Sequence, residues 1–137
     1  MENPADGNSY EEIKRKAREF YGKIGLVWCT ALNDHIVFNS VGFRHLIWKG
    51  AEQRPQQEQK RRFALLPYIK NTLTNHRGMM EFREEIRTSI VKEHGKKIRR
   101  LSRARFWGLV INGGDGTTIT IVIRQIDSRN KHFFSIY

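Results

Sequence analysis

Cysteine occurs once in these 137 residues, so no internal disulfide can form and nothing points to an oxidising compartment. Cys29 sits inside the apolar run Leu26–Ala31, where a buried thiol fits better than a reactive one. No apolar stretch reaches the ~18 residues that a membrane span requires, and the opening MENPADGNS is too polar for a secretory signal. The expectation is a cytoplasmic protein with no membrane partner. Metal ligands are sparse too. No His-x-x-x-His pair occurs, the cysteine has no partner, and carboxylates do not cluster beyond neighbours such as Glu84-Glu85. A Walker loop and a dinucleotide fingerprint are both missing, since Gly113-Gly114-Asp115-Gly116 lies between two expected strands and not before a helix. Neither a metal nor a cofactor is expected.

Acidic residues are scarce relative to basic ones: 14 Asp and Glu against 25 Lys and Arg, a formal net charge of +11 with pI near 10.2. The stretch Lys96–Arg105 holds six basic residues in ten, and Lys60, Arg61 and Arg62 form a second cluster. Such density favours a polyanionic partner, because each neutralised phosphate releases counterions whatever the sequence. Length suits one domain, as domains commonly run ~100–150 residues.

The pattern along the chain reads as α+β, with N-terminal helices on one face of a twisted antiparallel sheet of about four to six strands. Residues 1–8 read as a flexible tail, 9–78 as mainly helical with a short hairpin, and 79–137 as mainly sheet. Ser9 followed three residues later by Glu12 is a capping box, ahead of apolar residues at helical spacing from Tyr10 to Ile24. Leu26–Ala31 and His35–Asn39 read as a hairpin around Asn33-Asp34. Ser40 caps a short helix over Val41–Trp48. Pro55 opens a further helix, which Pro67 kinks or breaks. Residues 79–105 score about equally as helix and strand; Thr88–Val91 and a turn at His94-Gly95 favour a long hairpin. Phe106–Ile111, Thr117–Ile126 and Lys131–Tyr137 read as strands, joined by turns at Asn112–Gly116 and Asp127–Asn130.

Strand alternation assigns Ile119, Ile121 and Ile123 to the core. The opposite face then carries Thr120, Arg124, Lys131, Ser135 and Tyr137, a cationic and hydroxyl-rich surface with a ring on which a base could stack. The same alternation places His132 with Phe134 and Ile136, on the side that could be core. These residue types suffice for metal-independent RNA cleavage. A base takes the 2′-hydroxyl proton, an acid protonates the leaving 5′-oxygen, and cations stabilise the charge on phosphorus; the 2′-hydroxyl restricts the substrate to RNA. His45 is the leading acid–base candidate, on a short helix with Lys49 four residues on. His132 ranks second. Arg54, Arg62 and Arg124 are candidate phosphate ligands, with Arg99, Arg100 and Arg103 as further RNA contacts.

The segments VGFRHLIWKG, EQKRRFALLPYI, FWGLVI, ITIVIRQI and KHFFSIY, taken in this order, resemble the barnase/EndoU/colicin/RelE-like ribonuclease superfamily, its phage-associated and toxin-like branches above all. The likeness spans the chain from about Ser9. It implies a helical part against a four- or five-stranded antiparallel sheet, with RNA cleaved in a cleft on that sheet. It marks His45, Arg124, Ser135 and Tyr137. The expected function is therefore a small metal-independent endoribonuclease, such as the toxin of a toxin–antitoxin or phage-related system. RNA is the expected partner, and an acidic antitoxin or inhibitor is compatible with the charge. The alternative is a non-catalytic RNA- or DNA-binding module.

Overall fold

The computed structural model describes residues 9–76, 78, 80–112 and 116–137. The expected tail and the centre of the Asn112–Gly116 turn lie outside them. Helix α1, Tyr10–Gly22, begins where the capping box places it, with the Ser9 hydroxyl oxygen accepting from the Glu12 amide at 3.2 Å. Glu12 turns to Arg15 instead of closing the box. Strands β1, Leu26–Cys29, and β2, Asp34–Val37, form the expected hairpin around Asn33, which takes φ +51°. Helix α2 covers Ser40–Ile47, and its cap is Asn39, one residue before the expected Ser40.

A tight turn with no clear sequence signal follows: β3, Trp48–Lys49, folds back on β4, Glu52–Gln53, around Gly50 at φ +62°. Helix α3, Gln56–Leu65, starts after Pro55. Pro67 interrupts the helical path as expected: a 3-10 turn at Leu66–Tyr68 separates α3 from α4, Ile69–Asn75. The ambiguous stretch is extended: β5, Met80–Glu93, pairs along its whole length with β6, Lys96–Asn112, from Met80 opposite Leu109 to Glu93 opposite Lys96, and the two turn at His94 and Gly95, both with positive φ. Strands β7, Thr118–Ile126, and β8, His132–Ile136, complete an α+β fold.

All but the two shortest strands join one mixed sheet in the order β1-β2-β8-β7-β6-β5. The N-terminal hairpin enters it through one parallel pair, Val37 with His132. Beyond that pair the edge of β8 is covered by helices. Gly42 of α2 lies so close that a Cβ there would meet the Phe133 carbonyl oxygen at 2.6 Å, and Arg62 of α3 donates to the Ile136 carbonyl at 2.9 Å. Ile121, Ile123, Phe133 and Ile136 are fully buried with Leu46, Leu66, Ile69 and Leu73 of the helical part. At roughly 2 kcal/mol per buried side chain, this apolar layer is the main source of stability.

One irregularity decides where the polar residues of β8 point. Val122 pairs with Ser135 and Ile123 with Phe133, so Phe134 is an extra, bulged residue. Simple alternation puts Phe133 with Ser135 and His132 with Ile136. The bulge undoes both pairings. Phe133 and Ile136 each face the core, whereas Ser135 lies opposite Val122, and His132 opposite Arg124, on the other face.

Candidate functional site

That other face is built in cross-strand columns. One column runs Glu81, Gly108, Val122, Ser135; the next runs Arg83, Phe106, Arg124, His132. Tyr137 exchanges backbone hydrogen bonds with Thr120 and extends the surface beyond the end of β8. Against it stand the end of α2, the β3–β4 turn and α3. Together they enclose a cleft of about 490 Å³ lined by His45, Lys49, Arg54, Arg62, Glu81, Ser135 and Tyr137, with Phe106 and Phe134 among its apolar walls. An adjoining depression shares His45 and Phe134 and adds Arg87 and Arg124.

Each side chain is held from its own backbone outward. The His45 ring packs on Phe134, centroids 4.1 Å apart, with Nδ1 3.4 Å from Arg54 Nη2. Arg54 Nε donates to the His45 carbonyl at 3.0 Å, and the Arg54 carbonyl accepts from buried Gln59, whose amide oxygen takes the Tyr10 hydroxyl. Arg62 is only 7% exposed. Its Nη1 donates to Ser135 Oγ and to the Ile136 carbonyl, both at 2.9 Å, while Nε donates to Glu58. Arg61 first, and then Arg62, hold the Glu58 carboxyl down to about 2. Arg124 stacks over Phe134 at 4.5 Å, and Arg83 over Phe106 at the same distance.

The electrostatics are those of a cationic, partly desolvated pocket. Burial first, then the charges of Arg54, Arg62 and Arg124, push the His45 imidazole down to about 4, so it is neutral at pH 7. Burial lowers Arg54 and Arg124 as well, with Arg62 and Arg87 respectively adding repulsion. Among the described residues, Glu81 is the one carboxylate lining the cleft, and no three His, Cys, Asp or Glu side chains come together as a metal site. A bound phosphate would relieve the crowding of guanidinium groups and restore basicity to His45, the combination that phosphoryl chemistry requires.

The sequence-derived candidates separate into three groups. His45, Lys49, Arg54, Arg62, Ser135 and Tyr137 line the cleft, with Arg124 beside it. His132 is buried, accepts from Arg124 Nε at 3.0 Å and is shifted down by burial and by that guanidinium; it orients Arg124 from behind. The bulge corrects the expectation that alternation removes it from the Arg124 face. Lys131 departs from expectation: it pairs with Asp34 at 2.7 Å and lies over the Trp107 ring, away from the cleft. Arg99, Arg100 and Arg103 lie on the β5–β6 hairpin beyond the cleft. Glu81, Arg83, Phe106, Phe134 and Gln59 were missed. The first three lie in a stretch whose secondary structure was ambiguous or on its partner, and Gln59 gives no local signal of burial. No protein-family model, curated protein or solved structure matches the chain.

Proposed function

We propose that this protein is a metal-independent endoribonuclease that cleaves RNA by attack of a 2′-hydroxyl on the adjacent phosphorus. The observation that carries this reading is the convergence of a neutral histidine, His45, with Arg54, Arg62 and Tyr137 in one cleft, and with Arg124 in the depression that adjoins it. The phosphate seats among the guanidinium groups, whose fixed donors meet the charge that grows on its oxygens. His45 takes the 2′-hydroxyl proton while the 2′-oxygen bonds to phosphorus, and Glu81 offers a second acceptor on the same wall. As the bond from phosphorus to the 5′-oxygen breaks, that oxygen takes a proton from Tyr137. The products are a 2′,3′-cyclic phosphate and a free 5′-hydroxyl. Ser135, held by Arg62, donates to a phosphate oxygen, and Phe134 supplies a stacking surface.

The chain's resemblance to the barnase/EndoU/colicin/RelE-like superfamily supports the same reaction, and a toxin role with an acidic inhibitor is the biological setting it suggests. A non-catalytic nucleic-acid module is the second reading, favoured by the concentration of charge on the β5–β6 hairpin outside the cleft. One assay separates the two. Purified protein is incubated with RNA in EDTA, and the ends of any fragments are identified. The expected outcome is cyclic-phosphate ends, with His45→Ala slowing cleavage by about 10²–10⁴, the range of a general acid–base group. Intact RNA, or a His45→Ala protein that cuts at the parental rate, defeats the proposal.

A further inference from the structure

The β5–β6 hairpin outruns the sheet. Strand β7 pairs with β6 only from Ala104 onward, so Ile86–Glu93 and Lys96–Arg103 project as a two-stranded arm of roughly 25 Å at ~3.3 Å per residue. Residues 86–103 contain seven basic side chains and one acidic, Glu93, a net +6 of the chain's +11. Lys92, Lys97 and Arg99 have no ion-pair partner among the described residues, whereas Arg100 and Arg103 are paired with Glu93 and Glu84. One face carries these free cations together with large apolar groups: Lys92 lies opposite Lys97 and Ile90 opposite Arg99, with Leu101 and Ile86 further along the same face. Ile86 and Ile90 are 69% exposed and Leu101 is 71% exposed. A solvated basic surface explains the cations but not the isoleucines, and an ordinary apolar interface explains the isoleucines but not the unpaired cations.

We infer that this arm binds double-stranded RNA, lying along the shallow minor groove beside the single-stranded segment that enters the cleft. The minor groove of A-form RNA is wide and shallow, and its floor presents ribose carbons beside their 2′-hydroxyls and the base edges, between two rows of phosphates. Ile86, Ile90 and Leu101 rest on that floor while Lys92, Lys97 and Arg99 reach the flanking phosphates, as wedge-and-cation surfaces do in other shallow grooves. Arg87 projects from the other face of edge strand β5 and lines the depression next to His45, so the arm and the cleft meet around the β5 edge. The inference rests on the ribonuclease reading and narrows its substrate to RNA in which a paired stem adjoins the cut site.

The test uses the full chain and three synthetic RNAs: a blunt 16-base-pair duplex, a single strand of the same length, and a hairpin with a single-stranded tail. Binding is read by fluorescence anisotropy across a salt series. Cleavage of the tailed hairpin and of the tail alone is read separately. The wild type should bind the duplex at least tenfold more tightly than the single strand. Lys97→Ala with Arg99→Ala should weaken duplex binding at least tenfold and reduce the salt slope by about 2, one for each lost phosphate contact. Ile86→Ser, Ile90→Ser and Leu101→Ser together should keep the slope and remove the duplex preference. Cleavage of the isolated tail should be unchanged in both variants. Equal wild-type affinity for the two forms, or variants that bind duplex like the wild type, overturns the inference. So does sedimentation showing a wild-type dimer that the serine variant splits, which would give the apolar face to a second copy. If duplex binding holds while no RNA is cut, the ribonuclease reading fails and the arm stands.

Discussion

Arg62 and Arg99 bear the same guanidinium, yet the fold uses them in opposite ways. Arg62 is buried, and its hydrogen bonds go to Ser135 Oγ, the Ile136 carbonyl and Glu58, with the Tyr137 ring against its guanidinium. Arg99 stands in solvent on the two-stranded arm with no ion pair among the described residues. A buried charge must recover its lost hydration from partners, so it is locked into one geometry. An exposed one keeps its hydration and its rotamer freedom. The cleft therefore offers positioned charge, suited to meeting a transition state, and the arm offers mobile charge, suited to general attraction of a polyanion. Net charge alone draws no distinction between them.

The contrast is broken most directly at Arg62. Arg62→Ala should cost about 3 kcal/mol, because it strands a backbone carbonyl and a hydroxyl in the interior and deprives Glu58 of a partner. Urea unfolding at pH 7 measures this, and a loss below about 1 kcal/mol shows that the buried geometry contributes little.

The second effect is one of pH. His45 is held at about 4 in the fold against an ordinary 6.5. As pH falls below 6.5 the unfolded chain takes up that proton first, so the neutral-histidine contribution is complete above about 6.5 and disappears towards 4. The urea midpoint should accordingly drop between pH 7 and pH 5, and drop less in His45→Gln. Equal drops in the two proteins remove His45 from the account. The same depression sharpens the comparison in a second way. Adding inorganic phosphate should move the His45 NMR titration midpoint upward if the anion seats among Arg54, Arg62 and Arg124, and a midpoint unmoved by phosphate places the anion elsewhere.

The smallest effect belongs to the arm. Arg99→Ala should change stability by less than about 0.5 kcal/mol, as expected for an exposed side chain with no ion pair among the described residues. A larger loss means that Arg99 is structurally engaged and that the two regions differ less than their burial implies.

Much of this molecule follows from neighbouring residues. Ser9 stops the N-terminal end of α1, Pro67 breaks α3 from α4, Asn33 and His94-Gly95 make turns with positive φ, and Ile121 and Ile123 are core by period-two alternation. Residue type and charge also singled out six of the groups that line the cleft. These features are local, set by a cap, a missing amide proton, a backbone angle or a repeating pattern, and such causes act within a few positions.

Tertiary structure alone decided the rest. Nothing in KHFFSIY announces that Phe134 bulges; Ile121, Ile123 and the helical core demand both Phe133 and Ile136, and the strand admits both only by inserting one residue. That insertion turns Ser135 and His132 onto one face and so brings Arg124 to His132 and Arg62 to Ser135. The entry of the N-terminal hairpin beside β8, the close seat of Gly42 and the burial of Gln59 under Arg54 depend likewise on segments tens of residues apart. The residues capable of chemistry are written in the chain, but their convergence on one cleft is a property of long-range packing, which no local rule carries.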